Sequence, residues 1–210
     1  PETIYVYIYK IKNRKLRLWE YLRRKQARRR KKGGRKSQRV RIPDRVSIHL
    51  RPKAVDKRKE VGHWEGDTLV GKYRISGIHT EYERVTSLTK MEKINRLNAE
   101  ETIRAQVKIF SPFPIHLRRS DTMDNGLEMV NHKYLKDKLG MDTYFADPYS
   151  SWQRGGNENT NLWIRYYFPK GTDFAKVPDE DIKAVEWELN NRPRKRLGYK
   201  TPVEKLREYL

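Results

Sequence analysis

The apolar pattern from residue 58 onward predicts three strands in succession, followed by alternating helices and strands. Trp64 to Val70, Ile75 to Tyr82 and Arg84 to Glu92 carry the Thr, Val and Tyr content that favours extended chain. Ala99 to Phe110 brings Ile103, Val107 and Phe110 onto one face, which predicts a helix that Pro112 and Pro114 end. Leu117 to Met123 reads as a fourth strand, Leu127 to Leu139 as a helix closed by Gly140, and Thr143 to Ala146 as a fifth strand. After a loop come a helix from about Asn157 to Phe168 and a last helix from Asp179 to Asn191, whose entry has Pro178 and acids suited to the positive helix end.

Ahead of these elements the pattern is different. Ile4, Ile8, Ile11, Leu18, Trp19 and Leu22 have a helix-like spacing, as expected for the end of a helical unit whose partner helices lie upstream. The opening residues show neither an initiator Met nor the order of a signal peptide, so the chain is expected to be a fragment. Arg23 to Arg41 is a block of like charge, expected to be extended or disordered until a polyanion arrives, and Pro43 and Pro52 punctuate its exit. The expected organisation is therefore an N-terminal basic helical or extended arm over 1–57 and a folded domain over 58–210. The order of elements in that domain gives an α/β sandwich with a mixed sheet.

Charge sharpens this division. The chain has 210 residues and a formal net charge of +21, with an expected isoelectric point near 10.1. Residues 10–60 hold 23 Lys or Arg against four acids, whereas residues 61–210 hold 25 basic against 22 acidic side chains. A cationic arm on a nearly balanced domain makes nucleic acid the first expected partner. The absence of cysteine excludes a disulfide scaffold and a thiolate zinc site, and matches a reducing interior. No apolar run is long enough for a membrane span.

Three isolated carboxylates fall where such a fold gathers a site. Asp67 leaves the first strand, Asp124 leaves the fourth, and Glu158 opens a helix packed alongside. Open α/β sheets collect ligands in the crevice at strand ends, and hard divalent cations take a few carboxylate oxygens while leaving room for water and phosphate. Taken singly, each acid also has an ordinary reading as a turn, strand-end or helix-start residue. Asp121 and Glu128 read as a strand-face and a helix-surface acid. Glu65 shares a strand face with Asp67 and either assists or packs, and His63 and His79 have no metal-ligand spacing.

Six segments carry a resemblance: Gly62-His-Trp-Glu-Gly-Asp-Thr-Leu-Val-Gly71, Asp124-Asn-Gly-Leu-Glu128, Tyr144-Phe-Ala-Asp-Pro-Tyr-Ser-Ser-Trp-Gln-Arg-Gly155, Asn157-Glu-Asn-Thr-Asn161, Tyr167 to Phe174, and Leu189 to Pro202. Together they closely resemble the IS-thirty family of bacterial insertion-sequence transposases, over roughly residues 58–206. The resemblance implies a ribonuclease-H-like integrase core with a five-stranded mixed sheet. It also implies a DDE triad of Asp67, Asp124 and Glu158, and the 33 residues between the last two match the family's spacing. The implied cofactors are two Mg2+ or Mn2+ ions, with Asp67 shared between them. The implied chemistry is strand cleavage by water, then attack of the freed 3′ hydroxyl on target DNA. Terminal inverted repeats and target DNA are the implied partners, with a homo-oligomer on paired ends and a cytoplasmic, nucleoid-associated setting in a bacterium.

Arg28, Arg29, Arg30, Lys31, Lys32, Arg35 and Lys36 are the expected non-specific DNA contacts. Trp152, together with Tyr149, either walls the site, stacks on a base or packs in the core. Asn161 and Arg165 share the helix face of Glu158, so Arg165 either holds a phosphate or forms a surface ion pair. Arg192 and Arg194 either touch flanking DNA or cap the last helix. Three places depart from the family's usual pattern: Met123 before Asp124, Leu162-Trp163 after Asn161, and Glu83-Arg84 where an Asp-Arg pair is common. A bulky side chain beside the acids would disturb their geometry. The competing readings are a retroviral-type integrase or nuclease of the same fold, and a decayed or non-catalytic nucleic-acid-binding protein.

Overall fold

The computed structural model describes residues 2–22, 25–28 and 42–210. It divides into two compact units, Pro1–Val40 and Arg41–Leu210. The first contains helix α1 (Glu2–Tyr9) followed by two short 3-10 turns, with Ile8 buried and the Asn13 side chain donating to Tyr7 O at 2.7 Å.

The second unit starts ahead of the Arg58 expected from the sequence. Ile42 is buried in its core, Phe145 N donates to Val46 O at 2.9 Å, and Ser47 bridges Phe145 in parallel, so this segment lies along a sheet edge. Helix α2 (Lys53–Asp56) follows, and then the sheet: β1 (His63–Val70), β2 (Gly77–Glu83), β3 (Thr89–Ile94), β4 (Ser120–Met123) and β5 (Asp142–Phe145). Between and after the strands come α3 (Ala99–Phe110), α4 (Lys133–Leu139), α5 (Gly155–Tyr167), α6 (Asp179–Asn190) and α7 (Pro202–Arg207). The sheet order is β3-β2-β1-β4-β5, with β1 antiparallel to β2 and parallel to β4.

Two apolar layers sandwich this sheet. Trp64, Phe110, Met123, Leu135 and Phe145 fill the side covered by α3 and α4. Leu69, Ile78, Met91, Ile164, Phe174 and Leu189 fill the side covered by α5 and α6. Helix α3 has the bounds its pattern predicts, with Asn98 accepting from Glu101 N at the start. Gly140 ends α4 at φ 72, the left-handed conformation expected of it.

Three sequence expectations need correction. The strand expected over Arg84–Glu92 begins only at Thr89, because the Glu83 carboxylate accepts from Val85 N and Thr86 N and turns the chain. The helix expected over Leu127–Leu139 is a 3-10 turn at Leu127–Met129 and then α4, since His132 turns its ring to Thr143 Oγ1 and Pro43 O instead of continuing one amphipathic face. The helix ending near Asn191 is not the last. Helix α7 follows, opened by Pro202 and by a reciprocal cap between Thr201 and Glu204, a Thr-x-x-Glu signal present in the sequence.

Candidate active site

Strand alternation puts two of the three acids on one face. Glu65 of β1 pairs with Thr122 of β4, so two residues further along each parallel strand Asp67 and Asp124 come next in step on the same side. The intervening Gly66 and Met123 point to the α3 side, and Met123 is fully buried in that core. The bulky residue before Asp124 therefore faces away from the acids.

Helix α5 covers the acid face with polar side chains at helical spacing. Arg154, at its N-cap, donates from Nη1 to Gly66 O at 2.7 Å. Asn157 donates through its backbone to Glu65 Oε2 at 2.9 Å and through its side chain to Glu65 O. Asn161 Nδ2 donates to Asp67 Oδ2 at 2.8 Å, and Arg165 Nη2 donates to Val70 O at 2.9 Å. The helix is thus fastened along β1 by four polar side chains. Close approach at its start depends on Gly156, where a Cβ would overlap the Tyr82 ring.

The Arg154 guanidinium stands between the two strand acids, 3.7 Å from Asp67 Oδ1 and 3.9 Å from Asp124 Oδ2. Burial pushes the Asp67 carboxyl above its ordinary range; Arg154 opposes that shift and Asp124 adds to it. Asp67 Oδ1 also accepts from Thr68 N at 2.9 Å, and Asp124 Oδ1 from Gly126 N at 2.9 Å. Arg45 braces the Asp124 loop, donating to Asn125 Oδ1 at 2.7 Å and to Ala146 O at 2.9 Å.

Glu158 lies on α5 one turn after Arg154 and three residues before Asn161, with its side chain exposed. Among the described residues, no three His, Asp or Glu side chains stand near enough to hold a metal ion together. The donor set still fits a hard cation: two carboxylates in step share a space where a positive group already sits.

The remaining expected residues divide clearly. Glu65 is fully buried and paired with Arg84, so it packs. Asp121 is a fully buried strand-face acid on the α3 side. Glu128 sits in the turn after Gly126. His63 binds Ser120 Oγ and Glu60, and His79 is fully buried against Glu81 and Thr68; both are structural. Trp152 and Tyr149 are exposed, which removes the core-packing reading for both. Arg165 is spent on the Val70 carbonyl. Arg192 stacks on Trp163 at 4.7 Å, and Arg194 donates to Leu189 O at 3.1 Å, capping α6. Arg28 is exposed, whereas Arg29, Arg30, Lys31, Lys32, Arg35 and Lys36 lie outside the described residues. Sequence reasoning missed Arg154, Asn157 and Arg45. Arg154 had a legible signal, a cation four residues before Glu158 and so on its helical face.

Comparison with known proteins shows which sequences this chain is similar to. The chain is 42% identical over 210 residues to the transposase for insertion sequence element IS4351 of Bacteroides fragilis, covering all of this chain and 64% of that protein. It is 38% identical over 209 residues to the transposase InsI for insertion sequence element IS30A of Escherichia coli K12, covering 97% of this chain and 54% of that protein. The chain is homologous to IS30-family transposases. It spans 54% to 64% of the length of these two homologues. No family profile matches it.

Solved structures agree on the fold. The catalytic core domain of BIV integrase superposes with a TM-score of 0.54 at 18% identity, over 70% of this chain and 95% of that one. A chain of the simian T-cell lymphotropic virus intasome gives 0.56 at 17% identity, over 69% of this chain and 54% of that one. The chain has the ribonuclease-H-like fold of integrase cores, with the mixed five-stranded sheet expected from its sequence. Among the described residues, no helix is long and apolar enough to cross a membrane.

Proposed function

We propose that this chain is the catalytic portion of a DNA transposase that cleaves the ends of an insertion sequence and joins them to target DNA. Asp67, Asp124 and Glu158 would hold the metal. The observation that carries the reading is the juxtaposition of Asp67 and Asp124 on parallel strands around one cationic group, beside a helix bearing Glu158. Two Mg2+ or Mn2+ ions, when bound, supply charge stabilisation to the entering and departing oxygens of an in-line displacement at phosphorus.

The chain's own residues prepare that reaction. Asn161 and Thr68 N fix the two oxygens of Asp67, while Gly126 N and the Arg45–Asn125 brace fix the Asp124 loop. In the first step a water oxygen bonds to phosphorus, the bond to the 3′ oxygen breaks, and that oxygen leaves as a hydroxyl. In the second step the same hydroxyl attacks a target phosphodiester and a new 3′ oxygen leaves. No covalent enzyme intermediate is required. The basic arm supplies sequence-independent affinity for DNA, element ends and target DNA are the substrates, and paired ends call for a homo-oligomer.

The test is metal-dependent cleavage of end-containing DNA by wild type, Asp67→Ala and Glu158→Gln. Both variants should bind DNA as wild type does and cut none of it. Retained cutting by Asp67→Ala in Mg2+ refutes the assignment.

A further inference from the structure

The contact of Arg154 with the two strand acids is ionic and not hydrogen-bonded. Its amino nitrogens stand 3.7 Å and 3.9 Å from Asp67 Oδ1 and Asp124 Oδ2, beyond hydrogen-bonding reach. Nη1 donates instead to Gly66 O at 2.7 Å, and the buried Nε has no partner. A buried guanidinium with an unmatched donor is not locked into place as a bidentate pair would be. On the side of the acids, charge alone holds it.

We propose that Arg154 is an internal cation that occupies the space between Asp67 and Asp124 and competes with divalent metal for them, so that loading the site requires the guanidinium to move out. The proposal rests on the reading of Asp67 and Asp124 as metal ligands.

The charge count favours exchange: one positive group faces two carboxylates, and a divalent ion matches them better. Simultaneous occupancy is disfavoured, because a metal about 2 Å from these oxygens would meet the guanidinium's like charge in a half-buried setting. The backbone permits the departure. Arg154 has φ −122 and ψ 40, at the junction between the 3-10 turn Ser151–Arg154 and α5, so its side chain can swing without unwinding the helix. Asn157 and Asn161 keep α5 fastened to β1 while it does. An acid pair kept with a built-in cation is also partly neutralised until metal arrives, which limits the mutual repulsion of the two strand ends.

The competition has a sign that an orienting role lacks. Mn2+ is titrated onto the full chain without DNA, and the free ion is measured by electron paramagnetic resonance. Arg154→Gln and Arg154→Met should bind Mn2+ about tenfold or more tightly than wild type, Arg154→Lys should resemble wild type, and Asp67→Asn should lose the site. Unchanged or weaker binding by a folded Arg154→Gln or Arg154→Met overturns the proposal and makes Arg154 an orienting residue. If neither variant folds, wild type decides alone: saturating Mg2+ should speed hydrogen exchange at the Arg154 Nε–H, and an unaltered rate overturns the proposal. Wild-type Mn2+ binding no stronger than that of Asp67→Asn would remove the ligand reading itself, and the proposal with it.

Discussion

Asn161 Nδ2 donates to Asp67 Oδ2 at 2.8 Å, while its own Oδ1 accepts from Thr80 Oγ1 at 3.2 Å. The second bond fixes the amide so that its donor faces the acid. Because α5 also bears Glu158, this one contact ties the strand carboxylate to the helix that carries the third candidate ligand.

Asn161→Ala should therefore lower DNA cleavage about 10- to 100-fold, the range that follows from misplacing a reacting group by about 1 Å. The loss in stability should be near 1 kcal/mol, as for one hydrogen bond. Asn161→Asp should cost more activity, since a like charge then faces Asp67. Cleavage kinetics beside thermal melts separate the two effects; an Asn161→Ala variant as fast as wild type would show that Asp67 needs no such support.

Neighbouring glycines at the start of α5 should respond in opposite ways. A Cβ at Gly155 meets nothing within 4 Å, whereas at Gly156 it would overlap the buried Tyr82 ring and come to 3.0 Å from Glu65 Oε2. Gly155→Ala should leave stability unchanged or raise it by up to about 1 kcal/mol through helix propensity. Gly156→Ala must lift the helix from β1 and should destabilise by about 1–3 kcal/mol, the usual cost of overpacking. Cleavage should fall with it, because Glu158 moves with α5. Paired melting curves and cleavage rates check both.

Glu65 precedes Asp67 by two residues on the same strand face, yet its carboxylate is committed elsewhere. It is fully buried, pairs with the Arg84 guanidinium and accepts from Asn157 N. Glu65→Gln leaves the buried Arg84 guanidinium only the exposed Asp56 carboxylate, 3.9 Å away, and should cost about 3 kcal/mol of stability. At a temperature where the variant remains folded, cleavage should stay measurable and retain its metal requirement, in contrast to Asp67→Ala. Metal-independent inactivity in a folded Glu65→Gln protein would place this acid among the ligands.

Much of this was readable because strand and helix periodicity act locally. Five strands in the right order, the bounds of α3 and the end of α4 follow from periodicity and from Pro112, Pro114 and Gly140, whereas the shared side of Asp67 and Asp124 depends on the register of β1 with β4. What escaped depends on distant partners. Arg45 looks like any other residue of the basic arm, and only the fold brings it to Asn125. Segment 42–57 has the composition of a linker, but Ile42 and Ser47 find the β5 edge. Arg154 is adjacent to the site in sequence, but its approach to two acids depends on β1 and β4 running in parallel. The polar run His79-Thr80-Glu81 gives no hint of burial on both faces of β2.

That run leads to the last prediction. On the α3 side of the sheet Glu81 and Asp121 are both fully buried. Gln106 Nε2 donates to Glu81 Oε1 and Asp121 Oδ2, and His79 Nε2 lies 2.7 Å from Glu81 Oε1. Burial pushes Glu81 up to about 8 and Asp121 well above its ordinary value, while it pushes His79 down. Between its unfolded value of 4.5 and about 8, the native Glu81 holds a proton that the unfolded chain has released. Stability contributed by this group is therefore fully present below 4.5 and is lost as pH rises through about 8. His79 acts with the opposite sign, but only below 6.5, where the unfolded imidazole begins to take up a proton. The interval from pH 6.5 to 8 thus isolates the buried acids. Wild type should lose up to about 2 kcal/mol across it. Glu81→Gln keeps the shape and most hydrogen bonds without a titratable proton, so denaturant melts of that variant should show a visibly shallower decline. A wild-type stability that is level or rising over this interval would mean that the pair is already ionised in the native state.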